Sequence, residues 1–419
     1  MWGLFVSIFL VLYGLMTYYI GRRGWQALGK PASRSLRLLF GVVFALLVLP
    51  FPVAELTEHL LPRSIASGLA MWGGYSMIMI VYAFLILLLI DGIRLLNRWL
   101  KFIPNRVREH PKTPFILGVV VVTFILGAVI YGGWNARNPV INEYEVAVNK
   151  KAGSVKELHI ALVSDIHFGP VIDADRLKPL LEMLEELEPD LVLLTGDITD
   201  GPLPPGEGRE LAAVLGKIEA PLGIFAVPGN HDRDLRDDEG ELMKALEGEG
   251  IRVLKDRYVS VGDDFYLIGR NDPRLQRGAD RVPLEDVMEG VDRQKPLILM
   301  DHQPFDLEEA QAIGIDLQLS GHTHRGQIFP ANLITDRIYE EDWGMLKKGP
   351  YHLIVSCGYG TWGPPLRIGN RPEVVSIRVK FDWFIGCREG FDTLSLGAVF
   401  TPGRSGHQRR SEPGDPSRH

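Results

Sequence analysis

The sequence is poor in cysteine, since Cys357 and Cys387 are the only two among 419 residues. This scarcity excludes a disulfide framework, and their spacing excludes a Cys-x-x-Cys metal or redox motif. Any metal site in this chain must therefore be built from oxygen and nitrogen ligands. The formal net charge is -7 at pH 7, which gives no overall positive surface for a polyanion. No nucleic-acid partner is expected.

Charged residues are almost absent from four long apolar runs in the first third of the chain. Each run approaches the roughly 20 helical residues that cross a bilayer core, and Trp and Tyr flank the runs, as is typical of membrane interfaces. The runs cover residues 2–20, 36–53, 69–90 and 114–131. The sequence predicts an all-α membrane domain with four transmembrane helices over residues 1–134, integral to the cell membrane.

Basic residues are distributed unequally among the loops that join these runs. The first loop contains Arg22, Arg23, Lys30 and Arg34, and the third contains six basic residues, whereas the second contains Arg63 alone. The positive-inside rule places the first and third loops in the cytoplasm. The part of the chain after the fourth run is then extracytoplasmic. Because the runs lack internal acidic residues, an anchor explains them better than a transporter.

After a predicted linker at residues 135–154, which includes a weak first strand, residues 155–380 alternate between strand and helix patterns. This alternation predicts an α/β fold, a mixed β-sheet sandwich flanked by helices. Short strands at 251–254, 258–261 and 265–268 are predicted to form an antiparallel meander. The tail, residues 381–419, is rich in Gly, Pro, Ser and Arg, and disorder is expected there.

Five apolar, strand-like runs end in residues that can bind a metal. Ligands of an α/β sheet bind beyond the carboxyl ends of its strands, so we expect these residues to converge. Carboxylates and imidazoles suit Mn, Fe and Zn. Two such ions, about 3.5–4 Å apart, can hold both reacting oxygens of a phosphoryl transfer, and Asp197, in a Gly-Asp turn, is suited to bridge them. The motifs are Asp165-Ile166-His167, Gly196-Asp197-Ile198-Thr199-Asp200, Gly229-Asn230-His231-Asp232, Asp301-His302-Gln303-Pro304 and Gly321-His322-Thr323-His324.

In this order the five motifs resemble those of calcineurin-like metallophosphoesterases over residues 155–380. The resemblance implies two divalent metal ions and attack on a phosphoester by a metal-bound hydroxide. It implies that Asp165, His167, Asp197 and His324 hold one metal, and that Asp197, Asn230, His302 and His322 hold the other. His231 is then the proton donor, oriented by Asp200. Taken singly, Asn230 is better explained as a turn residue, and His302 is equally explained as a hydrogen-bonded core histidine.

Two further stretches bear on the substrate. Asp200 is followed by Gly201-Pro202, where protein phosphatases of this superfamily have Arg-Gly, which disfavours a protein phosphatase. The segment 356–367 resembles the glycine-rich end of bacterial membrane-associated members, which include phosphodiesterases of lipid-linked or cell-envelope substrates. We therefore expect a membrane-anchored phosphodiesterase. A phosphomonoesterase is the nearest alternative, and a non-catalytic, metal-stabilised scaffold or receptor is the alternative from another class.

Overall fold

The computed structural model describes residues 2–29, 32–57, 60–169, 171–232, 241–272 and 281–381, except for the side chains of residues 2–6, 63 and 64. The predicted tail lies outside the described residues from position 382 onward. Its first residue, Phe381, is instead the buried last residue of a strand. The division of the chain into membrane domain, linker, catalytic domain and tail stays a prediction.

The amino-terminal part is helical and apolar. Its helices are α1 (Trp2–Leu28), α2 (Arg34–Val48), α3 (Pro50–Thr57), α4 (Arg63–Leu100), α5 (Asn105–Arg108) and α6 (Thr113–Asn135). Among the described residues, three segments are long and apolar enough to cross a membrane, namely Arg34–Thr57, Ile65–Leu100 and Thr113–Asn135.

The structure therefore supports three membrane spans where the sequence predicts four. The first predicted run falls in α1, whose side chains are described only from Ser7 onward. The second predicted run is divided between α2 and α3 at Pro50. Proline has no backbone N–H and disfavours helical geometry at the preceding residue, so the regular hydrogen-bond ladder is interrupted there.

The rest of the described chain is built on twelve strands. They are β1 (Val140–Val148), β2 (Glu157–Val163), β3 (Leu191–Thr195), β4 (Ile224–Val227), β5 (Ile251–Val253), β6 (Arg257–Val261), β7 (Phe265–Gly269), β8 (Leu297–Met300), β9 (Leu317–Ser320), β10 (Gly344–Lys348), β11 (Tyr351–Val355) and β12 (Glu373–Phe381). They form a first sheet of order β1-β12-β2-β3-β4-β5 and a second sheet of order β10-β11-β9-β8-β7-β6. Both sheets contain parallel and antiparallel pairs, which confirms the predicted mixed α/β fold.

Six further helices accompany these strands. They are α7 (Ala174–Leu187), α8 (Glu207–Leu215), α9 (Glu241–Gly248), α10 (Leu284–Val287), α11 (Leu307–Ile313) and α12 (Asn332–Ile338). Helix α7 begins after Asp173, whose side chain accepts a hydrogen bond from the backbone N–H of Arg176. Such an N-cap satisfies one of the unpaired N–H groups of the first turn.

The two sheets pack face to face, and helices cover their outer faces. Side chains alternate along a strand, and in β2 Ile160 and Leu162 point into the core between the sheets, whereas Ala161 and Val163 point to the outer layer. Helices α7, α8 and α9 pack on that outer layer of the first sheet. Helices α10 and α11 cover the second sheet. The result is an α/β/β/α sandwich.

The predicted meander of β5, β6 and β7 is wrong. Strand β5 pairs in parallel with β4 in the first sheet, whereas β6 and β7 form an antiparallel hairpin in the second sheet. The chain passes from one sheet to the other between β5 and β6, where Leu254 is buried in the core and Asp256 adopts a left-handed φ of 45°. Short apolar strands look alike in sequence whichever sheet they join.

Candidate metal centre

The turns that follow five strands, from both sheets, meet at one edge of the sandwich. In the first sheet, the turn after β2 is tied to the turn after β3, because Asp165 N donates to Gly196 O at 3.0 Å and His167 N donates to Asp197 O at 2.9 Å. The second sheet joins them through the backbone N–H of His322, which donates to Asp165 Oδ2 at 3.0 Å. All nine predicted site residues lie in these turns.

Several of these residues have an unusual backbone conformation. A positive φ is uncommon for any residue other than glycine, and such strain is concentrated at functional sites. Five predicted ligands have φ values between 47° and 71°: Asp165, His167, Asp197, His322 and His324. The turns thus hold the side chains inward at a cost in backbone strain.

The first cluster of possible ligand atoms consists of Asp165, His167 and His324. His324 Nε2 lies 3.3 Å from Asp165 Oδ1 and 3.1 Å from His167 Nε2. All three side chains are buried or nearly so. Burial is the main reason that the pKa of His324 lies well below its ordinary value, and the charges of His167 and Arg367 add to this effect. A neutral imidazole is the form that binds a metal.

The second cluster consists of Asp197, His302 and His322. His302 Nε2 lies 3.2 Å from Asp197 Oδ2, and the rings of His302 and His322 have centroids 5.1 Å apart. Burial opposes ionisation of Asp197, but the charge and hydrogen bond of His302, with the charge of His167, hold the pKa of Asp197 well below its usual range. This carboxylate is therefore ionised.

Asp197 lies between the two clusters. Its Oδ2 atom is 3.8 Å from His167 Nε2 on one side and 3.2 Å from His302 Nε2 on the other. Its Oδ1 atom accepts a hydrogen bond from the backbone N–H of His231 at 2.8 Å, which fixes the carboxylate in place. One carboxylate in this position can contact ions in both clusters.

The donor set of the second cluster fits a divalent cation. His302 Nδ1 lies 2.8 Å from the carbonyl of Thr195, and a carbonyl only accepts, so Nδ1 carries the proton and donates it. The buried Nε2 atom faces the Asp197 carboxylate at 3.2 Å, and although burial lowers the pKa of His302, the charge of Asp197 raises it well above its ordinary value. A proton on Nε2 can supply the positive charge between these two atoms, and a divalent cation can take its place. A metal-binding histidine is commonly held by its other nitrogen in this way.

His231 and Asp200 lie beside the first cluster. Asp200 Oδ1 is 3.5 Å from His231 Nδ1 and 3.3 Å from His167 Nδ1, so the carboxylate contacts both imidazoles. Burial lowers the pKa of His231, and the charge of His167 adds to the lowering while Asp197 opposes it. The His231 side chain is 30% exposed, which leaves it accessible from outside the centre.

Asn230 follows β4, directly before His231. It is half-buried, and its Oδ1 atom is buried. Its predicted role as a ligand of the second metal stays a prediction.

Two residues that the sequence interpretation did not assign to the site support its turns. Asp232 is buried and accepts hydrogen bonds from the backbone N–H groups of Gly229 and Thr199, at 2.7 and 2.8 Å. It thereby joins the turns after β3 and β4. Burial and the nearby charge of Asp197 raise the pKa of Asp232 to about 7. The sequence did contain a signal for Asp232, because it is the last residue of the third motif, Gly229-Asn230-His231-Asp232.

Arg367 is the other residue that the sequence interpretation missed. It is fully buried and donates to the carbonyls of Gly358 and Gly360, at 3.0 and 2.6 Å. Its Nη2 atom also lies 3.5 Å from His324 Nδ1. A charged residue inside a glycine-rich segment was the available signal, but nothing in the sequence tells a buried arginine from an exposed one.

Comparisons with known proteins agree with this geometry. Residues 158–326 match the family model described as calcineurin-like phosphoesterase. An uncharacterized metallophosphoesterase of Aquifex aeolicus (strain VF5) is 36% identical over 228 residues, which cover 54% of this chain and 85% of that protein.

Two vertebrate relatives share the printed name "Transmembrane protein with metallophosphoesterase domain". The Danio rerio protein is 32% identical over 274 residues, and the Bos taurus protein is 32% identical over 273 residues; each match covers 62% of this chain. The chain spans 62% of the zebrafish protein and 61% of the bovine one. The ordered motifs, the family match and the extensive coverage of the Aquifex relative together show that this chain belongs to the calcineurin-like phosphoesterase family.

Proposed function

We propose that this chain is a membrane-anchored phosphodiesterase that uses two divalent metal ions, with Mn, Fe or Zn as the candidates. The observation that carries the proposal is the position of Asp197, whose Oδ2 atom faces His167 on one side and His302 on the other. When bound, such a metal pair neutralises charge on the phosphoryl oxygens and supplies a nucleophile from water near neutral pH.

The ligands divide according to the two clusters. Asp165, His167 and His324 would hold the first ion, and Asn230, His302 and His322 would hold the second. Asp197, between the clusters, would serve both. The buried carboxylates of this set balance the positive charge of the ions, which is the condition for burying charge at low cost. Because the strained turns already aim these side chains inward, little rearrangement is needed on binding.

His231 acts as the general acid that donates a proton to the leaving oxygen. Its side chain is 30% exposed, and Asp200 orients it through Nδ1 at 3.5 Å. A carboxylate on Nδ1 fixes the ring so that Nε2 faces the substrate. Asp200 also contacts His167 at 3.3 Å, so this residue serves both the first ion and the proton donor.

We favour phosphodiesters because of the surface beside His231. The Trp362 ring is 59% exposed, and its centroid lies 6.4 Å from that of His231. A flat apolar surface next to the proton donor suits the second organic group of a diester. Together with the apolar helices, it supports a lipid-linked or cell-envelope substrate.

The catalytic part lies on the extracytoplasmic side in this proposal. The basic loop at residues 101–112 precedes α6, and the contacts with the sandwich lie at the opposite end, where the backbone carbonyl of Gly132 accepts from Arg367 N at 3.0 Å. About 20 helical residues separate these levels, or roughly 30 Å, which is the thickness of a bilayer core. The positive-inside rule then places the sandwich outside.

The test measures bound metal and hydrolysis with the full chain in detergent. Bis(p-nitrophenyl) phosphate and p-nitrophenyl phosphate are compared with and without a chelator, using Asp197→Ala as the inactive variant and Asp263→Ala, at a fully exposed carboxylate, as the matched control. We expect about two metals per chain and chelator-sensitive diester hydrolysis that only Asp197→Ala loses. A faster rate on the monoester overturns the diester preference. Bound metal without turnover of either substrate favours the scaffold alternative.

A further inference from the structure

An exposed apolar ridge lies close to the metal centre. It consists of Phe329, Leu333, Ile334 and Ile338, on α12 and just before it, and these side chains are between 49% and 60% exposed. Nine large apolar side chains are more than a third exposed among the described residues 140–381. Four of the nine therefore fall within ten consecutive positions, which makes this a patch rather than scattered exposure.

The ridge is continuous with the membrane helices. Ile328, directly before it, packs on the apolar cluster formed by α1, α4 and α6, as does Ile368 from the glycine-rich segment. The hydroxyl of Tyr82 donates to the carbonyl of Phe329 at 2.8 Å. Tyr82 belongs to the candidate span Ile65–Leu100, and no charged residue lies within residues 69–90. The ridge thus begins beside a stretch of helix suited to the bilayer core.

Close contacts fix the sandwich at this level. A Cβ added at Gly132, near the end of α6, would approach Ile368 to 2.8 Å, and one added at Gly74, in α4, would approach Pro364 to 2.9 Å. Both distances are shorter than a normal packing contact, so glycine lets the loops of the sandwich lie directly against these helices. The ridge cannot be moved away from the bilayer surface without separating these contacts.

We propose that this ridge is embedded in the apolar region of the leaflet that adjoins the sandwich. Arg337 lies four residues after Leu333 and three after Ile334, so by spacing it shares their face of α12. Its long side chain can keep the guanidinium at the level of the lipid phosphates while the apolar residues lie deeper. Helix α12 exposes three large apolar residues beside Asp336 and Arg337, and apolar residues next to a basic residue are typical of interfacial segments.

The ridge adjoins the metal centre at both ends. Tyr339, directly after Ile338, has its ring centroid 6.3 Å from that of His322. At the other end, the Gln327 side chain holds the backbone of Trp362, accepting from its N–H at 2.9 Å. Burial of the ridge therefore places the centre at the depth of the headgroups. The substrate is then a phosphodiester within a lipid headgroup, an extension that rests on the proposed function.

The depth of the ridge is measured with the full chain in phosphatidylcholine nanodiscs. A bimane fluorophore is attached at Ile334→Cys in a Cys387→Ser background, in which Cys357 is buried; Leu222→Cys, 36% exposed and outside the ridge, is the matched control. We expect brominated lipid to reduce the fluorescence at position 334 at least twofold and to leave position 222 unchanged. Quenching at 334 by aqueous iodide instead overturns the proposal. Protection from both quenchers also overturns it, because a protein partner then covers the ridge.

The headgroup extension has a separate test. Ile334→Asp is compared with Leu222→Asp on a fluorescent phosphatidylglycerol in vesicles and on soluble bis(p-nitrophenyl) phosphate. We expect Ile334→Asp to lower vesicle hydrolysis at least tenfold and soluble hydrolysis less than twofold. Turnover of the soluble diester with none of the vesicle lipid overturns the extension. If the unmodified chain hydrolyses neither, the proposed function fails, while the quenching result still decides the position of the ridge.

Discussion

The two sheets contribute different chemistry to one centre. Strands of the first sheet are followed by all three carboxylates of the proposed centre, Asp165, Asp197 and Asp200, whereas three of the four proposed histidine ligands follow strands of the second sheet. Neither sheet alone offers a mixed set that both binds and neutralises two ions. The centre therefore exists only when the faces of the sheets are packed together, so metal binding and the core between the sheets are linked.

The largest expected effect is that of replacing Asp197, and it should exceed the effect of replacing a histidine of the second sheet. Asp197→Ala removes the carboxylate between the clusters, so we expect less than one metal per chain and a loss of hydrolysis of about 10³-fold or more. His302→Ala removes a ligand of one cluster only, and about one metal per chain should remain. Metal analysis after dialysis measures both variants. If the two variants lose the same amount of metal, Asp197 does not serve both clusters as proposed.

A smaller effect is expected at His231, which touches the reacting atoms without holding an ion. His231→Gln removes the proposed proton donor, and general acid catalysis contributes about 10²–10⁴-fold. On a diester with an alcohol leaving group, we expect kcat to fall by about 100-fold while the metal content stays near two per chain. A leaving group that needs no proton, such as p-nitrophenolate, should restore much of the rate. If the metal content falls as well, His231 is a ligand and the assignment is wrong.

Packing between the sheets gives the third test. Leu319 of the second sheet is fully buried in the shared core, and removal of a buried leucine side chain costs about 2–5 kcal/mol. We expect Leu319→Ala to lower the free energy of unfolding by about 3 kcal/mol and to weaken metal binding. Leu222→Ala, at an exposed position, should change the free energy of unfolding and the free energy of metal binding by less than about 1 kcal/mol each. Denaturation in detergent, with and without metal, compares them. If Leu319→Ala lowers the stability but leaves the metal affinity unchanged, metal binding does not depend on the core between the sheets.

The smallest effect concerns acid stability. His352, in β11 of the second sheet, is buried, and burial together with the charge of Lys347 lowers its pKa. The unfolded chain, with a pKa of about 6.5, then takes up a proton that the folded chain does not, so stability falls as the pH drops below about 6.5. His352→Gln should make this fall shallower. His110→Gln, at an exposed histidine, is the control. If both variants show the same pH dependence of stability, His352 is not responsible for the loss of stability in acid.

Much of the site could be predicted from sequence because strand ends leave a local signature. The five motifs follow β2, β3, β4, β8 and β9 directly, and an apolar run that stops at Asp or His carries that information within a few residues. The mixed sandwich follows from the same alternation of strands and helices. These features depend on neighbours in the chain.

The features that could not be predicted depend on distant parts of the chain. The sheet to which β5 belongs is decided by its pairing with β4 rather than by its own three residues. Arg367 has carbonyl partners supplied by a tightly folded glycine-rich segment. The apolar residues of α12 look like an ordinary core helix in sequence, and only the structure shows that the described part of the sandwich leaves them exposed.

Asn135, the last residue of α6, donates hydrogen bonds from Nδ2 to the carbonyls of Arg367 and Asn370. Helix α6, a candidate membrane span, is therefore linked through this loop to His324, since Asn370 Nδ2 donates to the His324 carbonyl. Along this described path, hydrogen bonds connect α6 directly to the loops of the proposed metal centre. Under the proposed function, the centre then stays at a constant height as the protein diffuses in the bilayer, and it meets a membrane substrate in two dimensions. Its turnover should depend on the number of substrate molecules per unit area of membrane rather than per unit volume of solution.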